Sequence, residues 1–185
     1  MKVREIISCA LTLLGRSDIA SVLSSGEQVG WTDQETVNTL LYCFNAVENE
    51  LARNYIPLVR SEKMTSKNNK FYFSSFWFRP IKIKKVFADG KSVPFTVNGD
   101  HVYIEANAVD IEYEYAPSRK DIDGGSDYDV NVAFGIIPFG MAEEYSYING
   151  EAEAGEMWKG KYRDMIDNIQ RTLPECAHIP PRRWV

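Results

Sequence analysis

The sequence predicts an α+β protein, with a core of about four helices, an inserted antiparallel β-sheet or small sandwich, and an extended C-terminal arm. Near both ends of the 185-residue chain apolar residues recur at helical spacing, whereas between Leu58 and Tyr115 they alternate with other residues. Because the two periods occupy separate stretches, we expect residues 1–57 and 129–173 to form one helical core. Residues 58–117 are then an inserted β-subdomain.

The N-terminal helices are predicted on either side of a Ser- and Gly-rich stretch. Residues 2–15 carry an apolar face at helical spacing, and residues 17–30 are expected to be a loop with at most one short turn. A second helix is predicted to begin with a capping box, in which Thr32 and Glu35 satisfy free amides of the first turn. It continues to Pro57, which ends the apolar period.

Turn signals divide the middle of the chain into strands. Asp89-Gly90 and Asn98-Gly99 are typical of hairpin turns, because glycine adopts positive φ without a steric penalty. We therefore expect about five or six antiparallel strands in this region. The segment Phe71–Phe78, with six aromatic residues in eight, is expected to be one of them.

The sequence of the C-terminal part predicts a polar loop, a closing pair of helices and an extended tail. Residues 118–129 are polar, Pro138 suits the first turn of a helix that ends near Asn149, and a final amphipathic helix runs from Glu151 to about Thr172. The tail, residues 174–185, contains three prolines and cannot continue the helix.

Composition excludes several classes of protein. A net charge of −5 argues against a surface that grips duplex DNA. The three cysteines are widely spaced and form no CxxC pair, so reduced thiols are expected. The N-terminus is a poor secretory signal, and no apolar run approaches the ~18 residues of a membrane span. We expect a cytosolic product with no cofactor.

No catalytic arrangement is evident. The two histidines, His101 and His178, belong to no recognised nucleophile–base motif, so we expect no enzymatic activity. The loop around Asp121, Asp123, Asp127 and Asp129 carries enough carboxylates to imitate a calcium loop. It lacks the glycine and glutamate positions of an EF-hand, and a solvated loop is the favoured interpretation.

Two functions remain open for the aromatic segment Phe71–Phe78. Basic residues flank it, as in a platform that stacks nucleic-acid bases, so a stand-alone β-rich module for single-stranded nucleic acid or carbohydrate is one alternative. The favoured alternative is partial burial against a neighbouring subunit, because large apolar surface rarely stays exposed on a monomer. Phe76 and Phe78 are the predicted interface residues, and a charge at either position is expected to give folded monomers. The flanking basic residues are Lys67, Lys70 and Arg79.

The tail is predicted to be a docking arm. Pro180 and Pro181 keep the chain extended, and Arg182, Arg183 and Trp184 are of the residue types enriched at interface hot spots. Twelve extended residues reach on the order of 40 Å, which is enough to contact another protein.

Three stretches resemble the head-to-tail adaptor (connector, or head-completion) proteins of tailed bacteriophages. The first is MKVREIISCALTLLG with the later helix TDQETVNTLLYCFNAVENELA. The second is RPIKIKKVFADGKSVPF with HVYIEANAVDIEYEYAP, which is similar to the family's β-insertion. The third is IIPFGMAEEYSYINGEAEAGEMWKGKYRDMIDNIQ, which is similar to its closing helix pair. The resemblance covers nearly the whole chain.

The resemblance implies a non-enzymatic structural protein of the virion neck, present in the host cytoplasm during assembly. It implies a homo-oligomeric ring of about twelve subunits beneath the portal, with tail or neck proteins as the other neighbours. The arm formed by Pro180, Pro181, Arg182, Arg183 and Trp184 would bind the portal protein. Genomic DNA would pass through the ring without sequence-specific binding, since an acidic lumen does not retain phosphate. No membrane is involved in this assignment.

Overall fold

Helices occupy both ends of the described chain and strands occupy its middle. The computed structural model describes residues 1–27 and 29–172. Within these residues the helices accompany two antiparallel sheets, of four and three strands. The α+β class predicted from the two periods is therefore confirmed. The predicted arm, residues 174–185, lies outside the described residues.

Three helices form the N-terminal part: α1 (Val3–Leu13), α2 (Ser17–Ser25) and α3 (Trp31–Glu50), which continues as a π-helical turn. The prediction of a loop over residues 17–30 was wrong, because α2 occupies most of it. Ile19, Ala20 and Leu23 of α2 are buried on one side, so packing against the core stabilises a helix that composition alone disfavours.

The predicted capping box of α3 does not form. The N-cap is Gly30, two residues before the predicted Thr32, and it makes no side-chain hydrogen bond; the helix begins at Trp31. The amides of Asp33 and Gln34 both donate to the Gly30 carbonyl oxygen, at 3.0 Å each. Thr32 is consequently inside the first turn, where its hydroxyl is not placed to cap the helix.

The middle of the chain forms seven strands among the described residues, compared with the five or six predicted. All neighbouring strands are antiparallel, and the two sheets have the orders β1-β7-β3-β4 and β2-β6-β5. The strands are β1 (Leu58–Thr65), β2 (Lys70–Tyr72), β3 (Pro80–Ala88), β4 (Lys91–Ser92), β5 (Thr96–Asn98), β6 (His101–Tyr103) and β7 (Ala108–Tyr115).

The two predicted hairpin turns are present, one of them shifted. Asp89 and Gly90 both have positive φ, 49° and 76°, between β3 and β4 as expected. The second turn lies one residue later than predicted: β5 includes Asn98, and Gly99, with φ 55°, opens the turn.

The aromatic segment is not one strand, which corrects the prediction for Phe71–Phe78. β2 ends at Tyr72, a 3-10 turn covers Phe73–Ser75, and the chain then turns into the interior at Phe76. The Phe73 amide still donates to the Asp100 carbonyl oxygen at 2.8 Å, in register with the β2–β6 pairing. The turn follows at once, where the Phe76 amide donates to the Phe73 carbonyl oxygen at 3.4 Å. Alternation between two faces is therefore lost after Tyr72.

The C-terminal part contains α4 (Val130–Gly135), α5 (Ile137–Ile148) and α6 (Ala152–Thr172). Helices α5 and α6 lie where the sequence predicts them, and Pro138 is in the first turn of α5. The short helix α4 was not predicted. Its N-cap is Asp129, whose carboxylate accepts from the Val132 amide at 3.1 Å.

Buried side chains form two hydrophobic clusters. One contains residues from α1 to α6, so helices from both ends of the chain share a core. The other lies among the strands, around Phe71, Ile111 and Tyr113. Gly140 permits the close approach of α5, because a Cβ there would be 2.9 Å from both Tyr162 and Val47. In the described part of the chain, no helix is long and apolar enough to span a membrane.

Candidate subunit interface

The most exposed aromatic residue of the segment Phe71–Phe78 is Trp77. Its side chain is 76% exposed, although its neighbour Phe76 is buried. The Trp77 amide donates to Glu62 Oε2 of β1 at 3.2 Å, which fixes the backbone of the segment against the edge of the larger sheet. The indole is therefore presented to solvent from a backbone that is fixed by a hydrogen bond.

Arg60 orders the side chains around Trp77. Its guanidinium carbon lies 5.7 Å from the centroid of the Trp77 ring and 5.3 Å from that of Phe78, within the range of cation–π attraction. Arg60 Nε also pairs with Glu62 Oε1 at 3.2 Å. On the other side, Phe78 stacks on Tyr115 with ring centroids 4.5 Å apart. We call Arg60, Trp77, Phe78 and Tyr115 the Trp77 surface.

A buried hydrogen-bond network supports this surface from below. The hydroxyl of Tyr113 donates to Glu62 Oε1 and accepts from the Phe78 amide at 3.5 Å. Burial, and then the hydrogen bond to Glu62, raise the pKa of Tyr113 far above its usual value. The phenol thus stays protonated at neutral pH, and Glu62 holds Arg60, Trp77 and Tyr113 in one arrangement.

The two residues predicted to form the interface, Phe76 and Phe78, differ in burial. Phe76 is only 7% exposed and packs edge-to-face on Tyr113, with centroids 4.9 Å apart. It belongs to the chain's own core, so a charge there would be buried and unpaired, and folded monomers are no longer the expected result. Phe78 is partly buried and lies on the Trp77 surface, where its role as an interface residue stays a prediction.

Sequence reasoning missed Trp77 because it assumed one continuous strand. In a strand, Trp77 would be on the face opposite Phe76 and Phe78, and nothing in the sequence fixes which face is inward. The pair Ser74-Ser75 was the available signal, since serine is favoured in turns and interrupts the aromatic run.

The outer face of the larger sheet is polar and carries both signs of charge. Acidic residues of the central strand β7 lie opposite lysines on β1 and β3, and such cross-strand pairs are mutually stabilising. Lys84 Nζ also approaches Glu114 Oε1 at 3.7 Å. The facing pairs are Lys63 with Asp110, Lys82 with Glu114, and Lys85 with Glu112. Because acidic residues alternate with the lysines, this face is not a uniformly basic stripe of the kind that follows a phosphate backbone.

A second exposed aromatic surface lies on α3. Trp31 is 95% exposed and Tyr42 is 63% exposed. They are eleven residues apart, about three helical turns, so both lie on the outward side of the helix. The chain therefore presents two aromatic surfaces on different elements.

Among the described residues, His101, Cys9 and Cys43 are the histidine and the thiols to consider for catalysis, and each is paired or protonated. His101 Nδ1 lies 2.9 Å from Asp100 Oδ1 in the turn before β6, and the His101 ring is 5.5 Å from that of Tyr72. Burial raises the pKa of Cys43 to about 12, and burial, followed by Glu5, raises that of Cys9. Neither thiol is ionised at neutral pH, which makes both poor nucleophiles.

The acidic loop does not gather its carboxylates on one point. Asp123 pairs with Arg4 at 2.6 Å, and Asp127 pairs with Lys120 at 2.9 Å. Asp129 caps α4. Among residues 1–27 and 29–172, no group of three or more His, Cys, Asp or Glu side chains is placed to hold a metal ion.

The predicted portal-binding arm lies outside the described residues, as does His178. The residues of this arm are Pro180, Pro181, Arg182, Arg183 and Trp184.

Comparison of the sequence with models of known protein families and with curated proteins found no match. The inference of function therefore depends on the residues and contacts of the chain itself.

Proposed function

We propose that this chain is a structural virion protein, a ring-forming head-to-tail adaptor that links the portal of a tailed bacteriophage to its tail. The observation that carries the proposal is the order of elements. Helices α1 and α3, a β-insertion, and the closing pair α5 and α6 follow one another as in the three stretches that resemble the adaptor family. Helices from both ends also share one hydrophobic cluster, which agrees with an insertion into a helical core.

Lateral association through the Trp77 surface is the physical basis of the proposed ring. A ring requires that one surface of a subunit contact a different surface of the next, because a heterologous contact closes under rotation. The Trp77 surface and the α3 surface with Trp31 and Tyr42 are two such surfaces. Tryptophan and arginine are enriched at interface hot spots, and Arg60 and Glu62 limit the entropy that Trp77 would lose on docking.

The strand β1 adds a second element to the same region. It is the edge strand of the larger sheet, and Arg60 and Glu62 belong to it. Edge strands offer backbone groups to a neighbouring chain. In the proposed ring, β1 and the Trp77 surface together contact the adjacent subunit, and the arm around Trp184 contacts the portal.

One observation favours a second function, a β-rich module that binds single-stranded nucleic acid or carbohydrate. An exposed Trp beside an Arg is also the arrangement on which a base or sugar ring stacks. Against this alternative, Arg60, the arginine beside Trp77, is already paired with Glu62 and is therefore not free to bind a phosphate backbone. Subunit association accounts for the same exposure without that charge.

Substitution of Trp77 tests the proposed association. We expect the wild-type chain to associate in a concentration-dependent manner in light scattering, and Trp77→Ala to stay folded and monomeric. Val97→Ala is the matched control, because Val97 is also exposed, at 51%, but lies in the smaller sheet. If Trp77→Ala and Val97→Ala associate as the wild type does, the Trp77 surface is not the lateral interface. Monomeric wild type that binds oligonucleotide or oligosaccharide through Trp77 would favour the second function.

A further inference from the structure

A groove of about 450 Å³ lies beside the last turns of α6. Gln170 Nε2 donates to the Tyr55 carbonyl oxygen at 3.3 Å, which fastens this end of α6 to the π-helical turn after α3. The lining of the groove combines apolar residues with polar and acidic ones. The apolar residues, which we call the apolar side, are Ile56, Pro57, Leu58, Val59, Val132 and Ile169. The polar residues, which we call the acidic side, are Asp127, Tyr128, Asp129 and Asn131.

The acidic side of the groove has an unused hydrogen-bond acceptor. Asp127 Oδ1 binds Lys120 Nζ at 2.9 Å, but Asp127 Oδ2 is buried and has no hydrogen-bond partner among the described residues. Asp129 adds an exposed carboxylate whose Oδ1 caps α4. Buried acceptors without a donor are rare in folded proteins. A guanidinium group is the donor that suits two neighbouring carboxylates, since it is planar, always charged and carries five N–H groups.

The segment 173–185 begins close to this groove in the sequence and contains side chains that could bind in it. It follows Thr172 in the sequence, three residues after the groove residue Ile169. Arg182 and Arg183 follow the apolar run Ile179–Pro181. The ten residues from Thr172 to Arg182 span at most on the order of 33 Å, so the arginines can return to a groove that lies where the segment starts.

We propose that this groove binds residues 173–185 of the same chain, with Arg182 or Arg183 paired to Asp127 and Asp129 and the proline run against the apolar side. The tether gives the segment a high effective concentration at its own groove, and this favours intramolecular docking over docking on another copy. The proposal does not rest on the adaptor function. In an adaptor, the docked segment would be released when the portal offers a stronger site.

Disulfide trapping with the native Cys176 tests the docking in the full-length chain. Asn131→Cys places a thiol on the exposed polar side of the groove, and Ser92→Cys places one on the exposed strand β4 as the matched control. Under mild oxidation we expect the Asn131→Cys chain to form an intrachain disulfide with Cys176 at least tenfold faster than the Ser92→Cys chain. Val59→Cys, on the apolar side, should form a disulfide with Cys176 at a similar rate to Asn131→Cys. It provides a second test if the Asn131→Cys chain fails to fold. Peptide mapping identifies the bonded pair.

Charge reversal then tests the ionic part of the proposal. We expect Arg182→Glu combined with Arg183→Glu to slow the trapping by tenfold or more. Asp129→Asn should slow it as well, although it leaves the helix cap intact, because asparagine caps as well as aspartate does. Trapping no faster than in the Ser92→Cys control overturns the proposal. A disulfide between two chains, or trapping that charge reversal leaves unchanged, overturns it equally.

Discussion

Phe76 and Trp77 are adjacent in sequence, but we expect their removal to affect stability very differently. Phe76 is 7% exposed and Trp77 is 76% exposed. Truncating a buried Phe to Ala typically costs about 3–5 kcal/mol, from lost transfer free energy and the cavity that remains. Loss of the edge-to-face contact with Tyr113 is part of that cost. Trp77→Ala removes an exposed side chain and one cation–π contact, so the free energy of unfolding should fall by about 1 kcal/mol or less.

Urea unfolding followed by far-UV circular dichroism measures this difference without relying on tryptophan fluorescence. With a slope near ~2 kcal/mol per molar urea, Phe76→Ala should lower the unfolding midpoint by roughly 1.5–2.5 M, whereas Trp77→Ala should lower it by about 0.5 M or less. The measurement should be made at a protein concentration where the wild type is dissociated, because association would add to its apparent stability. Equal midpoint shifts for the two variants would refute the assignment of Phe76 to the core and Trp77 to the surface.

Other predictions concern packing, capping and pH. Gly140→Ala should lower the free energy of unfolding by about 1–3 kcal/mol, because its Cβ would lie 2.9 Å from Tyr162. Gly160→Ala should raise the free energy of unfolding by about 0.5–1 kcal/mol, because the space around Gly160 is open and alanine favours a helix. Asp129→Ala should cost about 1 kcal/mol through loss of the α4 cap, and Asp129→Asn should cost much less. Burial raises the pKa of Glu48 above 4.5, so its contribution to stability is complete below pH 4.5 and is lost as the pH rises through the raised pKa. Thermal unfolding of the wild type and of Glu48→Gln, each measured at pH 4 and at pH 7, tests this. Between pH 4 and pH 7 the Glu48→Gln variant should lose less stability than the wild type does.

The strongly periodic elements were predictable from the sequence. Helices α1, α3, α5 and α6 follow long apolar periods, and Asp89-Gly90 has the residue types that its turn requires. Helix α2 was not predictable, because serine and glycine disfavour a helix and only burial of residues such as Leu23 stabilises it. Helix α4, six residues long, is too short to show a period.

The candidate interface was only partly predictable. The aromatic segment was identified correctly as an unusual feature, but the burial of Phe76 depends on its contact with Tyr113, 37 residues further along the chain. The network of Arg60, Glu62 and Tyr113 likewise joins β1 to β7. Contacts between residues distant in sequence set which aromatic residue is exposed, and local patterns contain no information on them.

The mass of the complex formed with the portal is the most direct test of the adaptor proposal. The full-length chain is mixed with the portal protein encoded in the same genome, and light scattering after size exclusion gives the mass of the complex. We expect a complex whose mass exceeds that of the portal ring by about twelve copies of this chain. Deletion of residues 180–185 should abolish the complex, although the isolated chain should still fold. If the chain elutes apart from the portal at all concentrations tested, it is not a portal adaptor.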